Sequence, residues 1–143
     1  MKETIVFAAD HGGLDLKTLL LAEAAALGFA VLDLGTDSAE RTDFPLYAAK
    51  AVEAIKAGQA SRGVLVCGTG IGMSMAANRH KGIRAAVVHD VTTARLCREH
   101  NDANILCLGG RIVGGEVAKD CLKAFLETGF AGGRYEKRRA MLD

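Results

Sequence analysis

Five short apolar runs rich in β-branched residues alternate along the chain with five longer stretches of helical periodicity, and glycine or a capping residue marks most of the changeovers. The spacing predicts strands over 5–9, 30–34, 64–67, 84–88 and 104–108, and helices over 14–27, 45–57, 73–79, 92–99 and 115–127. Gly28 and Gly58 stand where helix-terminating glycines belong, and Pro45 suits the first turn of the second helix. Strands that are apolar throughout must be covered on both faces, and a helix after each strand supplies the cover. The expected fold is therefore α/β: a three-layer α/β/α sandwich around a Rossmann-like five-stranded parallel sheet with right-handed crossovers. Residues 129–143 are too few for a domain and, with Arg134, Lys137, Arg138 and Arg139, too basic for a core. They are expected to form an arm or a short terminal helix on a single domain spanning 1–143.

With 143 residues, half of them hydrophobic and 24% charged, the chain can bury one substantial core. Eighteen lysines and arginines against 17 acids leave a formal net charge of +1, so there is no broad basic field for nucleic acid or an anionic membrane. Neither is expected as a partner, and any anion must be met by a local cluster. Charges such as Glu23 and Asp33 break every apolar stretch well short of the ~18 residues a spanning helix needs. Met1-Lys2-Glu3-Thr4 leads into the first strand without a signal-peptide layout. Cys67, Cys97, Cys107 and Cys121 have neither Cys-x-x-Cys spacing nor a histidine at ligand spacing, which suggests reduced thiols, a cytoplasmic location and no metal site.

In parallel sheets ligands bind beyond the carboxyl ends of the strands. The segments after the first, third, fourth and fifth strands are Asp10-His11-Gly12-Gly13, Gly68-Thr69-Gly70-Ile71-Gly72, His89-Asp90 and Gly109-Gly110-Arg111, which explains where much of a 17-glycine complement is spent. Alternating glycines between a strand and a helix let successive N–H groups converge on an anion, as a phosphate cradle or an oxyanion hole. The loop is not a Walker loop, since no Gly-Lys-Ser/Thr follows, and Met73 occupies the position of the third glycine of a dinucleotide fingerprint. Cys67 enters this loop: it is either a small buried hydrophobe or a thiolate favoured by the amides, able to act as nucleophile or base. The other three cysteines sit in apolar contexts and read as packing.

Asp10 and His11 end the first strand, where a carboxylate and an imidazole could act on a ligand, although an Asp-x-Gly turn cap looks the same. His100-Asn101-Asp102-Ala103-Asn104 offers a second imidazole beside amides, or else a polar loop with side-chain caps. His80 reads as a solvated helix end and His89 as a weaker candidate on the functional edge. Arg111, Arg134 and Arg138 could fork a phosphate dianion, and Gly132-Gly133 before Arg134 suggests a shaped turn rather than a loose terminus.

Five motifs occur in register over essentially the whole chain: Asp10-His11-Gly12-Gly13, Arg41-Thr42-Asp43-Phe44-Pro45, Cys67-Gly68-Thr69-Gly70-Ile71-Gly72, His100-Asn101-Asp102-Ala103-Asn104 and Gly132-Gly133-Arg134. Together they resemble the family of type B ribose-5-phosphate isomerases, whose wider membership includes galactose-6-phosphate and allose-6-phosphate isomerases. The resemblance implies an aldose–ketose isomerase acting on a small phosphorylated sugar through a cis-enediolate, with no cofactor. It implies Cys67 as the base between C1 and C2, the amides of Gly68, Gly70, Ile71 and Gly72 as holders of the enediolate oxygen, and Thr69 as the residue that shuttles or steadies the hydroxyl proton. His100 with Asp10 would open the furanose ring and Asn101 would position the sugar. His11, Arg111, Arg134 and Arg138 would grip the phosphate. A homodimer or a pair of dimers, with sites shared between subunits, is also implied.

Two positions depart from the family's pattern: Phe44 replaces a common tyrosine, removing a hydroxyl, and Thr92 replaces an aromatic residue. One branch of the family carries a glutamate base in the loop after the third strand; that loop here contains no acid, which favours the thiol. Two other classes compete. A non-catalytic phosphate-ligand module would explain the glycines and arginines but not Cys67, Asp10 and His100, expected to converge on one edge. A thiol redox enzyme needs a resolving cysteine near Cys67.

Overall fold

A computed structural model describes residues 2–143. Five parallel strands, β1 (Thr4–Ala9), β2 (Ala30–Asp33), β3 (Arg62–Cys67), β4 (Ala85–Val87) and β5 (Ile105–Gly109), form one sheet in the order β2-β1-β3-β5-β4. The helices are α1 (Leu14–Ala26), α2 (Phe44–Lys56), α3 (Ile71–Ala77), α4 (Val91–Glu99), α5 (Gly115–Glu127) and α6 (Arg134–Ala140). A single 3-10 turn, His11–Gly13, joins β1 to α1. The expected α/β/α sandwich is observed.

Side chains alternate across each strand, so the sheet splits the core in two. Ile5, Phe7, Val64, Val66, Leu106 and Leu108 pack with α1, α4 and α5. Val6, Ala8, Leu65, Cys67, Ile105 and Cys107 pack with α2 and α3 on the other face. This division follows from handedness: a right-handed crossover that moves leftward puts its helix on one face, and one that moves rightward puts it on the other. The paths β1 to β2 and β4 to β5 run in the direction opposite to β2 to β3 and β3 to β4.

Because β5 inserts between β3 and β4, Cys67 and Gly109 are register partners. The loops after β3 and β5 are therefore neighbours, and with the turn after β1 they form one continuous edge. β4 has only three residues and lies at the margin of the sheet, shorter than the expected 84–88. Its outer side is closed by Asn78, whose Nδ2 donates to the Ala85 carbonyl at 2.9 Å and whose Oδ1 accepts from the Ala85 N–H at 2.7 Å. Helix α3 starts two residues earlier than expected. Gly70 takes φ +81°, and this left-handed step turns the chain sharply enough for Ile71 and Gly72 to join the helix. Residues 134–140 form the short terminal helix, in which no residue is buried. Among the described residues, no helix is long and apolar enough to cross a membrane.

Candidate active site

At the carboxyl edge three glycine-bearing loops press together backbone to backbone. A Cβ on Gly13 would stand 2.4 Å from the Val66 carbonyl oxygen, and one on Gly110 would stand 2.5 Å from that of Gly12. One on Gly109 would lie 2.8 Å from backbone atoms of Thr69, and one on Gly70 would lie 2.9 Å from the Leu108 carbonyl carbon. These contacts leave room for hydrogen atoms only, so glycine is the requirement of loop-on-loop packing here.

Cys67 is the last residue of β3 and is buried, and its Sγ accepts the Gly70 N–H at 3.1 Å. The neighbouring chain is tied to it, since Gly110 donates its N–H to the Cys67 carbonyl at 2.8 Å and Arg111 donates its own to the Gly68 carbonyl at 3.0 Å. Thr69 is exposed and its Oγ1 accepts the Ile71 N–H at 3.2 Å. The Arg111 side chain runs along Gly68, its Cδ 3.5 Å from the position a Cβ would occupy, and Phe44 covers Gly72, its ring 2.7 Å from such a position.

Asp10 is buried and caps the 3-10 turn, Oδ1 accepting the Gly12 N–H at 2.9 Å. The turn-cap alternative is thus realised, with one carboxylate oxygen engaged. His11 accepts the Thr42 N–H on Nδ1 at 3.1 Å. An accepting Nδ1 carries no hydrogen, so the proton of the neutral ring sits on Nε2 and that nitrogen is a donor. Asp10, His11, Cys67, Gly68, Thr69, Gly70, Ile71, Gly72 and Arg111 are therefore brought together as expected.

His100, Asn101, Arg134 and Arg138 are not with them. The expectation that His100 converges with Cys67 and Asp10 on one edge is corrected: α4 leaves the carboxyl edge at Val91 and runs back across the sheet, so its C-cap, His100, reaches the amino edge where β5 begins. The two edges are a strand length apart, roughly 17–20 Å for five or six residues. At this far edge the His100 ring stacks on Tyr135 with centroids 4.3 Å apart and planes 14° from parallel. The guanidinium groups of Arg134 and Arg138 lie 5.0 and 6.0 Å from the same tyrosine ring. A cavity of about 330 Å³ is lined by His100, Asn101, Tyr135, Arg138, Arg139 and Leu142. One chain thus carries the expected site residues in two groups, at opposite edges of the sheet.

Tyr135 was not among the expected site residues, although one of only two tyrosines in the chain directly after a Gly-Gly-Arg turn was a usable signal. Lys17 was also missed. It lies in the interior on α1, donating to Asp33 Oδ1 at 2.6 Å and to the Thr36 carbonyl at 2.7 Å. A lone lysine among the buried positions Leu16, Leu20 and Ala24 would have indicated a specific partner. It anchors the connection that follows β2, from which Thr42 reaches His11. His80, expected as a solvated helix end, is half-buried and lines a cavity with Phe44 and Pro45.

Burial pushes the Cys97 and Cys121 thiols up to about 11, and Cys107 further still, which matches their reading as packing residues. Among the described residues, no three His, Cys, Asp or Glu side chains are grouped to hold a metal ion.

The model of the Ribose/Galactose Isomerase family matches residues 5–142. Ribose-5-phosphate isomerase B of Escherichia coli is 45% identical over 134 residues, covering 94% of this chain and 90% of the relative. The galactose-6-phosphate isomerase subunit LacB of Clostridium acetobutylicum is 40% identical over 124 residues, 87% of this chain and 72% of that one. The crystal structure of a ribose 5-phosphate isomerase from Thermotoga maritima superposes with a TM-score of 0.97 at 45% identity, covering 100% of this chain and 99% of that chain.

Proposed function

The chain belongs to the ribose/galactose isomerase family, and from this membership we propose that it interconverts D-ribose 5-phosphate and D-ribulose 5-phosphate through a cis-enediolate, with Cys67 as the base. The observation that carries the reading is the Gly70 N–H directed at the Cys67 sulfur in the glycine loop at the start of α3. Such a donor favours negative charge on sulfur and, nearby, on the oxygen of an enediolate.

The reaction starts on the closed furanose. An acid–base pair, the partner's His100 with Asp10, takes the proton from the anomeric hydroxyl and delivers one to the ring oxygen, opening the ring to the aldehyde. The Cys67 thiolate then takes the proton on C2, and the electron pair moves through C1 to the aldehyde oxygen, which the loop amides hold. Thr69 relays a hydroxyl proton between O2 and O1. Return of the Cys67 proton to C1 leaves the carbonyl on C2. His11 donates Nε2–H to the phosphate, and Arg111 with the partner's Arg134 and Arg138 completes the grip, supplying orientation from a remote, non-reacting group.

The working unit is a homodimer. His100 and Cys67 of one chain stand at opposite edges of the sheet, and a two-fold pairing lets each carboxyl-edge half-site receive an amino-edge half-site from the other subunit. A coupled isomerase assay over ribose 5-phosphate, allose 6-phosphate, galactose 6-phosphate and a tetrose phosphate tests the substrate. Fastest turnover of ribose 5-phosphate is expected, and a clear preference for a six-carbon phosphate overturns that choice.

A further inference from the structure

Helix α6 has seven residues, none buried. A helix of that length is not stable alone, and with no apolar face seated in the core it must be held by other means. Tyr135 stacks on His100 and Arg139 lies over the Phe130 ring, and the charged contacts converge on one carboxylate. Asp102 accepts from Arg98 on Oδ1 at 2.9 Å and from Arg139, on α6, on Oδ2 at 2.9 Å. Arg84 approaches the same Oδ2 at 3.5 Å, donates Nε to the Asp102 carbonyl at 2.8 Å, and reaches Asp143 Oδ1 at 3.3 Å. Arg98 also donates to the carbonyls of Ala103 at 2.6 Å and Thr128 at 3.1 Å, tying the residue after the hub to the end of α5.

Asp102 takes φ +49°, the only positive φ at a non-glycine among the described residues. This conformation is costly for most side chains and least so for Asp and Asn. It turns the backbone so that the carboxylate faces α6 while His100, two residues earlier, faces Tyr135. The imidazole is held by α4, whose C-cap it is, and by the ring of Tyr135, while Asp102 reaches the helix through Arg139.

We propose that Asp102 is a positioning residue that latches α6 to the body of the enzyme and so presents Arg134 and Arg138, one turn apart on that helix, as a preformed phosphate grip. The kinetic consequence rests on the reading of Arg134 and Arg138 as phosphate ligands. Two long arginine side chains on an undocked segment must be ordered at the moment of binding, and that cost falls on affinity. The proton transfer at the partner's Cys67 involves neither Asp102 nor α6.

The test compares Asp102→Asn, which tolerates the same φ but loses the charge, with Arg139→Gln, which breaks the latch from the helix side and leaves the Arg84 and Arg98 pairs in place. Arg139→Lys serves as the conservative rescue. Limited trypsin digestion without substrate reads the seat of α6. Both disruptive variants should be cut within 134–139 roughly tenfold faster than the parent, and Arg139→Lys should regain much of the protection. Kinetics are measured with ribulose 5-phosphate, which has no free hydroxyl placed to close a five-membered ring and so bypasses ring opening. KM should rise roughly tenfold in both disruptive variants with kcat within about threefold of the parent. Unchanged trypsin protection overturns the latch. Faster cleavage with unchanged KM in an active enzyme overturns the positioning role. If the parent isomerises no sugar phosphate, the functional reading fails, while the digestion still decides whether Asp102 holds α6.

Discussion

Thr42 gives its backbone N–H to Nδ1 of His11, so a residue just ahead of α2 dictates which nitrogen of an imidazole beside β1 can donate to a ligand. The positions of both partners follow from α/β construction: β1 delivers His11 to the carboxyl edge, and the long connection after β2, pinned by Lys17, returns over it.

His11→Ala is expected to raise KM for the sugar phosphate by roughly ten- to a hundredfold while lowering kcat much less, because a donor to a non-reacting phosphate contributes mainly to binding. Steady-state kinetics decide this. A fall in kcat at unchanged KM would assign His11 to the chemistry instead.

Iodoacetamide at pH 8 should alkylate Cys67 ahead of the other thiols. Cys97 and Cys121, raised to about 11 by burial, are thiolate to only about one part in a thousand at that pH, and Cys107 is still less ionised. Peptide mass spectrometry should show loss of activity rising in step with a single label at Cys67. Early labelling of Cys121 or Cys97 contradicts the assignment.

Gly13→Ala should destabilise the fold by about 3 kcal/mol or more, since its Cβ would stand 2.4 Å from a carbonyl oxygen in the centre of the sheet edge and neither backbone can yield. Gly28→Ala, in open space but at φ +98°, should cost only about 1 kcal/mol. Urea unfolding of the two variants ranks them, and equal costs would mean that the loops are not packed as described.

Stability should hold near neutral pH and fall in acid. The Arg62 hydrogen bond, assisted by Ser61 and outweighing burial, holds Glu3 below its ordinary value. At Asp102 burial acts upward, but hydrogen bonds from Arg139 and Arg98 outweigh it and hold the carboxyl low. A carboxyl depressed on folding stabilises fully above its unfolded value, about 4, and loses that contribution as pH falls through its folded value. Urea midpoints should therefore drop below about pH 4, and Glu3→Gln or Asp102→Asn should flatten that drop while lowering the plateau.

Much of the fold could be read before the structure because the information was local. Apolar runs marked the strands, and Gly28, Gly58 and Pro45 punctuated the helices within a residue or two of their observed ends. The order of the strands was not local. Nothing in residues 84–108 states that β5 inserts beside β3 and leaves β4 outermost, and the adjacency of Cys67 to Gly109 follows from that insertion. His100 was misplaced for a different reason: residues 100–103 precede the strand expected over 104–108, so a parallel sheet already puts them at its amino edge, and the motif was read as chemistry without that step. The tight glycines at 12–13 and 109–110 were recognisable as loop residues, whereas their mutual contact needed three loops in space.

The claim that Cys67 is the base rests most directly on turnover of Cys67→Ala. This substitution removes one sulfur at a buried strand end and should leave a folded protein that still binds ribose 5-phosphate, with kcat for isomerisation reduced by about three orders of magnitude or more. A folded Cys67→Ala enzyme that turns over within about tenfold of the parent would contradict the account.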